Sequence, residues 1–396
     1  GLETLPDQKP LNNCRWLLYR RAHAGWELVH RDESGRTREP SPVALLANGH
    51  LLVTANPTLT EPGTYNGPAE PTVYRFDTAY LRGGPSRELP RWEGAPAFTE
   101  HSYRTVVADG PSGEVLYMQN VGYDVAHMSL LAGGSTWQAA GQIRWPYGLE
   151  YPQPQPLRLC YPNVCMRRRA AHFFGVGDIV EPVAEWKAAK HALTGRDWDY
   201  VFRRLFYAST PDVSRQPFGA WLEIANRDAT AGATHNCDIY APPDGAAHLL
   251  WTETSGDARL RDRFFPGTPI HHSLEQAVVR GGVVERVTLA RLAEDEEGLR
   301  PQQARYHLTA GGALVVLAQF ARVGSGGPGP VYRAAAVEGA GIGPWTEVAF
   351  RRPLAGTFVT GTVRGGSAPG DLIDLVGTVP DRATTLGYAR VRLELE

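Results

Sequence analysis

One pattern constrains this chain more than any other feature. A short apolar strand, a turn built on glycine or polar residues, and a second apolar strand recur along its length. The first copy runs from Pro42 to Val53 through Asn48-Gly49. The second joins Tyr103–Ala108 to Val115–Met118 across a turn at Asp109 to Gly113. A third leads from Asn163 through Arg167 to Arg169 into His172–Phe174. A fourth joins Cys237–Tyr240 to His248–Trp251 around Pro243–Gly245. A fifth spans Tyr306 to Val316 around Gly311-Gly312, and a looser sixth surrounds Phe358 to Gly366. Glycine at such turns supplies the positive φ that a tight hairpin needs. Further strand-like runs lie between the copies: Trp16–Arg20, Trp26–His30, Ala220–Ala225, Val283–Leu289 and Tyr388–Leu395.

Two hairpins per unit at this spacing form the blade signature of a β-propeller. The expectation is therefore an all-β fold, a seven-bladed β-propeller of about 57 residues per blade, in a single domain over 1–396. Tyr388 to Glu396 is expected to pair with the N-terminal strands and close the ring, because an open ring leaves bare strand edges. Two stacked β-sheets are the alternative. One segment departs from the pattern. Val183–Leu193 has helix-forming composition and ends at Gly195, a C-cap residue, so a short helical insertion is expected near 183–199. Insertions in repeat folds gather on the binding face.

Composition narrows the function classes. The 43 Gly and 31 Pro residues suit many turns. A net charge of −2 gives no field to draw nucleic acid, and no run of eighteen apolar residues is present to span a membrane. The expected partner is a polysaccharide or oligosaccharide, with the protein acting as a monomer. The chain opens at Gly1 without methionine or leader, as a processed chain would, and a secreted or periplasmic location is the expectation.

In a propeller the first strand of each blade lines the central channel, and residues at its start ring the mouth. That position reads Glu39, His101, Tyr161, Asn236 and Arg305. His101 suits a general base near neutral pH. Tyr161 suits an acid at a leaving oxygen, with nearby cations such as Arg305 or Arg167 lowering its pKa. Arg305 suits bidentate capture of a carboxylate. Each has a structural alternative: a hydrogen-bonded channel histidine, a strand-start tyrosine, an ion pair with an acid such as Glu39. His127 either faces this site or sits satisfied in the core. Trp145 and Tyr147, in the loop Arg144–Tyr151, suit stacking on sugar faces or packing of a blade edge. Glu39, Arg104, Arg167, Trp198 and Asn236 complete the candidate substrate contacts. Cys160, Cys165, His235 and Cys237 are candidate ligands of a structural zinc ion, against a disulfide or plain thiols. No cofactor is required for the chemistry; a structural zinc or calcium ion is the candidate metal.

The His101 hairpin and the Tyr161-Pro162 hairpin resemble the propeller polysaccharide lyases with BNR-type repeats, the ulvan lyases and rhamnosyl-glucuronate lyases. In that family a His opens one inner strand, a second His follows the hairpin, a Tyr-Pro opens the next copy, and an Arg ends it. His101 and Tyr161 match the first and third elements. The second position falls near Asn120 to Tyr123, with His127 beyond it. The Arg position falls near Gly177-Asp178. The likeness spans Glu39 to Asp178. It implies a seven-bladed propeller that cleaves a uronate-containing glycan by β-elimination. Arg305 would neutralise the carboxylate, His101 would take the proton and Tyr161 would return one. The alternatives are a glycoside hydrolase working through Glu39, Glu100 or Asp178, and a glycan-binding propeller without catalysis.

Overall fold

Each repeated hairpin becomes the inner half of a blade. The computed structural model describes residues 1–9, 12–23, 25–33, 35–65, 67–324, 329–352, 354–380 and 382–394. Blade 1 is the sheet Leu2–Thr4, Cys14–Ala22, Gly25–Arg31. Blade 2 is Val43–Leu45, His50–Ala55, Thr72–Asp77, Ser86–Glu88. Blade 3 is Arg104–Asp109, Glu114–Val121, Val125–Ala132, Thr136–Arg144. Blade 4 is Leu159–Arg167, Ala170–Gly177, Arg204–Thr210, Leu222–Asn226. Blade 5 is Ala233–Tyr240, Ala247–Thr254, His271–Arg280, Val283–Ala293. Blade 6 is Gly298–Leu308, Leu314–Val323, Val331–Glu338, Thr346–Val348. Blade 7 is Ala355–Thr360, Leu372–Val379, Arg382–Arg392. All pairings within these blades are antiparallel, in the meander that short turns allow. The chain is thus a seven-bladed β-propeller in one domain, and none of its described helices is long and apolar enough to cross a membrane.

The blades hold together through what lies between them. Alternate residues of a strand face opposite sides, so each blade offers an apolar layer to both neighbours. Leu116, Met128, Val164 and Phe173 fill the space between blades 3 and 4. Phe174, Leu249 and Trp251 fill that between blades 4 and 5. Similar buried clusters bind blades 1–2, 2–3, 5–6 and 6–7. Full burial of each such side chain stabilises the fold by about 1.5–3 kcal/mol.

The seam between blades 7 and 1 is different. The final strand pairs within blade 7, not with the N-terminal strands, so ring closure is by side chains and not by the expected strand exchange. Tyr388 meets Trp26 edge-on at 6.0 Å, and the Arg21 guanidinium lies 5.1 Å from the Tyr388 ring. Blade 1 is built from three N-terminal strands of its own, and the last strand instead forms the outer edge of blade 7 on Leu372–Val379.

The sixth expected hairpin is also built otherwise. Its marker, Phe358, has a side chain outside the described residues. Ala355–Thr360 is a strand, but the turn at Thr362–Gly366 does not join it to the next strand as a hairpin; 361–371 instead crosses the lower end of the channel. Gly365 O accepts from Leu45 N of blade 2, and Arg364 O accepts from Ala108 N of blade 3. The Arg364 guanidinium pairs with Asp238 of blade 5 at 2.7 Å, and Gly370 N donates to Leu308 O of blade 6. Gly366 has φ +89, and a Cβ there would fall 1.8 Å from Leu45 O, so only glycine fits.

Among the described residues, two short α-helices interrupt the sheets. The first, α1 (Ala184–Thr194), is the expected insertion; Gly195 caps it in the left-handed conformation at φ +64. It rises from a two-stranded ribbon, Ile179–Val180 with Tyr200–Val201, which extends blade 4 at the upper mouth. The second, α2 (Ala258–Phe264), was not legible as a helix. Asp257 caps it by accepting from Arg259 N.

Candidate functional site

The inner strands start at the upper mouth and end at the lower one. At the upper mouth, between blades 3 and 4 and below the insertion, lies a pocket of about 440 Å³. His101 and Tyr161 both line it, with Tyr103, Tyr123, Arg158, Asp178 and Tyr200. From the insertion come Lys190, Arg196, Trp198 and Asp199; Arg38 and Arg259 complete the charged wall.

Tyr161 reaches this pocket through a bulge. The register of Leu159–Arg167 on its neighbour breaks between Cys160 and Asn163, so Tyr161 and Pro162 bow outward. Tyr161 has φ +48, a left-handed conformation that a tyrosine adopts at a cost. Its ring packs on Tyr103 at 5.2 Å and Phe202 at 6.0 Å, and Asn236 Nδ2 donates to its backbone oxygen at 2.6 Å.

His101 precedes the inner strand of blade 3. The Arg38 guanidinium sits against its ring nitrogens. Arginine has no acceptor, so His101 takes that contact as a neutral imidazole. Burial, then the charges of Arg38 and Arg158, hold its pKa below the ordinary histidine value, with Asp178 opposing them.

The floor of the pocket is a buried ion pair, Arg158 with Asp178. Three tyrosines surround the Arg158 guanidinium: Tyr123 at 4.1 Å, Tyr103 at 5.2 Å and Tyr200 at 5.8 Å. Tyr123 and Tyr200 meet at 3.1 Å through their hydroxyls. Cys160 Sγ donates to Asp178 Oδ2 at 3.0 Å. Arg158 Nε and Asp178 Oδ1 have no hydrogen-bond partner among the described residues, and neither has Asp199 Oδ2. Buried polar atoms left without a protein partner are costly unless water or a ligand satisfies them.

The insertion is pinned by a second charged cluster. Lys190 Nζ lies 2.6 Å from Glu181 Oε2 and 2.9 Å from Asp199 Oδ1. Arg203 Nη1 donates to Glu181 Oε1 at 2.9 Å. Trp198 stacks on Tyr200 at 4.8 Å and is 74% exposed at the rim. Trp186 faces away, against Phe265 and the Arg203 guanidinium.

Several residues chosen from the sequence lie elsewhere. Arg305 does not line this pocket. The inner strand of blade 6 starts at Gly298, so Arg305 is well down the channel, where its guanidinium donates to Cys237 O at 2.6 Å. Arg167 ends its strand at the lower mouth, in the cavity beside 363–369. Trp145 is core, stacked among Phe173 and Trp221. Tyr147 is exposed on the link to blade 4, with its hydroxyl on Pro154 O. His127 is buried against Phe98, outside the pocket. Glu39 contributes its backbone oxygen, which accepts from the buried Arg104 at 3.0 Å.

The four-group metal site is not assembled. All four cysteines are buried free thiols, and among the described residues no three His, Cys, Asp or Glu groups are placed to hold an ion. Cys160 and Cys165 are five residues apart on one strand, about 16 Å at strand rise, against a zinc–sulfur distance of about 2.3 Å. Arg158 and Arg38 were missed. Arg158 stands immediately before an inner strand, a placement that would have signalled it. Arg38 adjoins Glu39, which was chosen in its stead.

No protein-family model matches the chain, and a comparison with curated proteins gives no match. Solved structures with similar chain paths include the α-L-arabinofuranosidase of Fusarium graminearum in complex with arabinobiose. The two share 13% identity over 89% of this chain and 92% of that one, at a TM-score of 0.47. The α-L-arabinanase of Penicillium chrysogenum, also with arabinobiose, gives 13%, 89%, 92% and 0.46. SapL1 lectin with α-methyl fucoside gives 9%, 89%, 95% and 0.40. At these values no chemistry transfers to this chain.

Proposed function

We propose that the upper-mouth pocket is the active site of a carbohydrate-active enzyme, one that binds an acidic glycan and cleaves a glycosidic bond beside the charged unit. One observation carries this reading. An imidazole with a lowered pKa and a phenol on strained backbone share a pocket with Arg38 and Arg196, while three further cations in its wall are paired: Arg158 with Asp178, Lys190 with Glu181 and Asp199, and Arg259 with Asp257. Such a wall favours a carboxylate or sulfate group, and the exposed Trp198 offers an apolar face to a sugar ring.

Two bond-breaking chemistries fit these groups. In β-elimination, His101 removes the proton next to the sugar carboxylate. The C–H electron pair forms the new double bond, the glycosidic C–O bond breaks, and Tyr161 gives its proton to the leaving oxygen. Arg38 and Arg158 then take the neutralising part that the sequence assigned to Arg305. Hydrolysis has a separate observation behind it: two carboxylates, Asp178 and Asp199, line the same pocket, each with one oxygen that has no partner among the described residues, and a hydrolase uses two such groups.

Incubation with uronate-bearing polysaccharides, followed for new reducing ends and for the ultraviolet absorbance of an unsaturated uronate, decides between them. Both signals together mean elimination; reducing ends alone mean hydrolysis. Neither signal, over a panel of acidic glycans, removes the enzyme reading and leaves a glycan-binding propeller. If elimination operates, His101→Ala lowers kcat at least about 100-fold with KM nearly unchanged, because the proton moves only in the transition state. Full activity in that variant removes His101 from the chemistry and directs attention to Asp178 and Asp199.

A further inference from the structure

A second pocket of about 390 Å³ opens at the same upper mouth, between blades 5 and 6. Its walls carry Thr252, Thr254, His235, His272, Gln302 and Gln303. These are hydroxyls, amides and imidazoles, each able to exchange hydrogen bonds with sugar hydroxyls. Its one carboxylate, Glu253, is already engaged: Arg227 and Arg286 pair with Oε1, and Trp251 Nε1 donates to Oε2 at 3.1 Å. This pocket therefore offers polarity without an unpaired charge, in contrast to the cationic one.

The two pockets adjoin. Phe202 lines the first, and its ring lies 6.0 Å from that of His235, which lines the second. Tyr161 lies 6.0 Å from Phe202 on the other side. His235 is thus two ring-to-ring steps from Tyr161, the reach of a short oligosaccharide. Asn236, next to His235, holds the Tyr161 backbone oxygen.

The same backbone device serves both pockets. The inner strand of blade 4 bulges at Tyr161-Pro162, that of blade 5 at Cys237 and that of blade 6 at Gln302, where the register breaks between Pro301 and Gln303. A bulge leaves its extra residue outside the ladder and re-aims the side chain. In blade 4 it presents Tyr161 to the first pocket; in blade 6 it presents the exposed Gln302 to the second.

We infer that the second pocket is a subsite for a neutral sugar, so that the substrate is a glycan in which an uncharged residue lies within a few units of an acidic one. The inference rests on the first pocket being a glycan site. It is tested with Gln302→Ala and Gln302→Trp on a copolymer of alternating uronate and neutral sugar, and on the shortest oligosaccharide of that copolymer still cleaved. For Gln302→Trp, KM on the copolymer should rise about tenfold with kcat held, and clearly more than on the short oligosaccharide; Gln302→Ala should show the same trend more weakly. Equal changes on both substrates, or none, overturn the subsite. Calorimetric titration of the uncleaved copolymer separates this from the activity itself. Binding that Gln302→Trp weakens, without cleavage by the wild type, sinks the enzyme reading and keeps the subsite. Binding that the variant leaves unchanged sinks the subsite.

Discussion

Tyr161 and His101 are both held in states that side chains do not choose for themselves. At φ +48 a tyrosine carries backbone strain of order 1–3 kcal/mol, sustained by its packing on Tyr103 and Phe202 and by Asn236. Tyr161→Phe keeps the ring and removes only the hydroxyl. Melting should therefore be unchanged within about 0.5 kcal/mol, while turnover falls at least about tenfold; unaltered turnover excludes the phenol from proton transfer. His101 titrates below an ordinary histidine because of its burial and then Arg38. A base works deprotonated, so kcat/KM should hold as pH falls past the ordinary histidine value and drop only at the lowered pKa. Arg38→Met removes one depressing charge and should move that acid limb upward; a limb that stays in place assigns it to another group. These two side chains were legible because the repeat exposes channel-mouth positions. The place of Arg158, just before an inner strand, is legible in the same way, but its role is not, since that lies in contacts with Asp178 and three tyrosines that are distant in the chain. Arg305 misled because the blade 6 hairpin was read from its middle, and strand starts carry no mark of their own in the sequence.

The insertion shows how an element without a large apolar face is kept in place. Its helix buries only Lys190, whose ammonium is neutralised by Glu181 and Asp199, while Glu181 also holds Arg203. Glu181→Gln leaves two buried cations undercompensated, and the cost should be about 3–5 kcal/mol. The expected readout is a lower melting temperature with earlier proteolytic cleavage inside 184–199; an unchanged protease pattern shows that the cluster does not anchor the insertion. Helix α1 was legible from composition and from Gly195. Helix α2 was not, because seven residues with one buried leucine carry too little periodicity. The strand hairpins were legible for the opposite reason: alternation and glycine turns are local signals, and tertiary context had little to override.

At the scale of the ring, six blade interfaces have buried apolar clusters, and among the described residues the seam between blades 7 and 1 relies on Tyr388 with Trp26 and Arg21. Opening should begin there. Backbone amides of Cys14–Ala22 and Leu372–Val379 should exchange hydrogen at least about tenfold faster than those of Glu114–Val121 and Ala247–Thr254. Uniform protection around the ring contradicts a weak seam. That closure was misread in the sequence because the final strand looks alike whether it ends its own blade or completes another. The segment 361–371 bears on a different question. It ties together the channel ends of blades 2, 3, 5 and 6 and so spans the lower mouth of the axial passage. On the proposed glycan reading, a polymer entering along the axis would meet this segment, whereas one lying crosswise over the upper rim keeps both ends in solvent, a seat that admits a long chain at any interior point. Cleavage on this platform would therefore shorten polymers by random internal cuts, with viscosity collapsing before much small product accumulates.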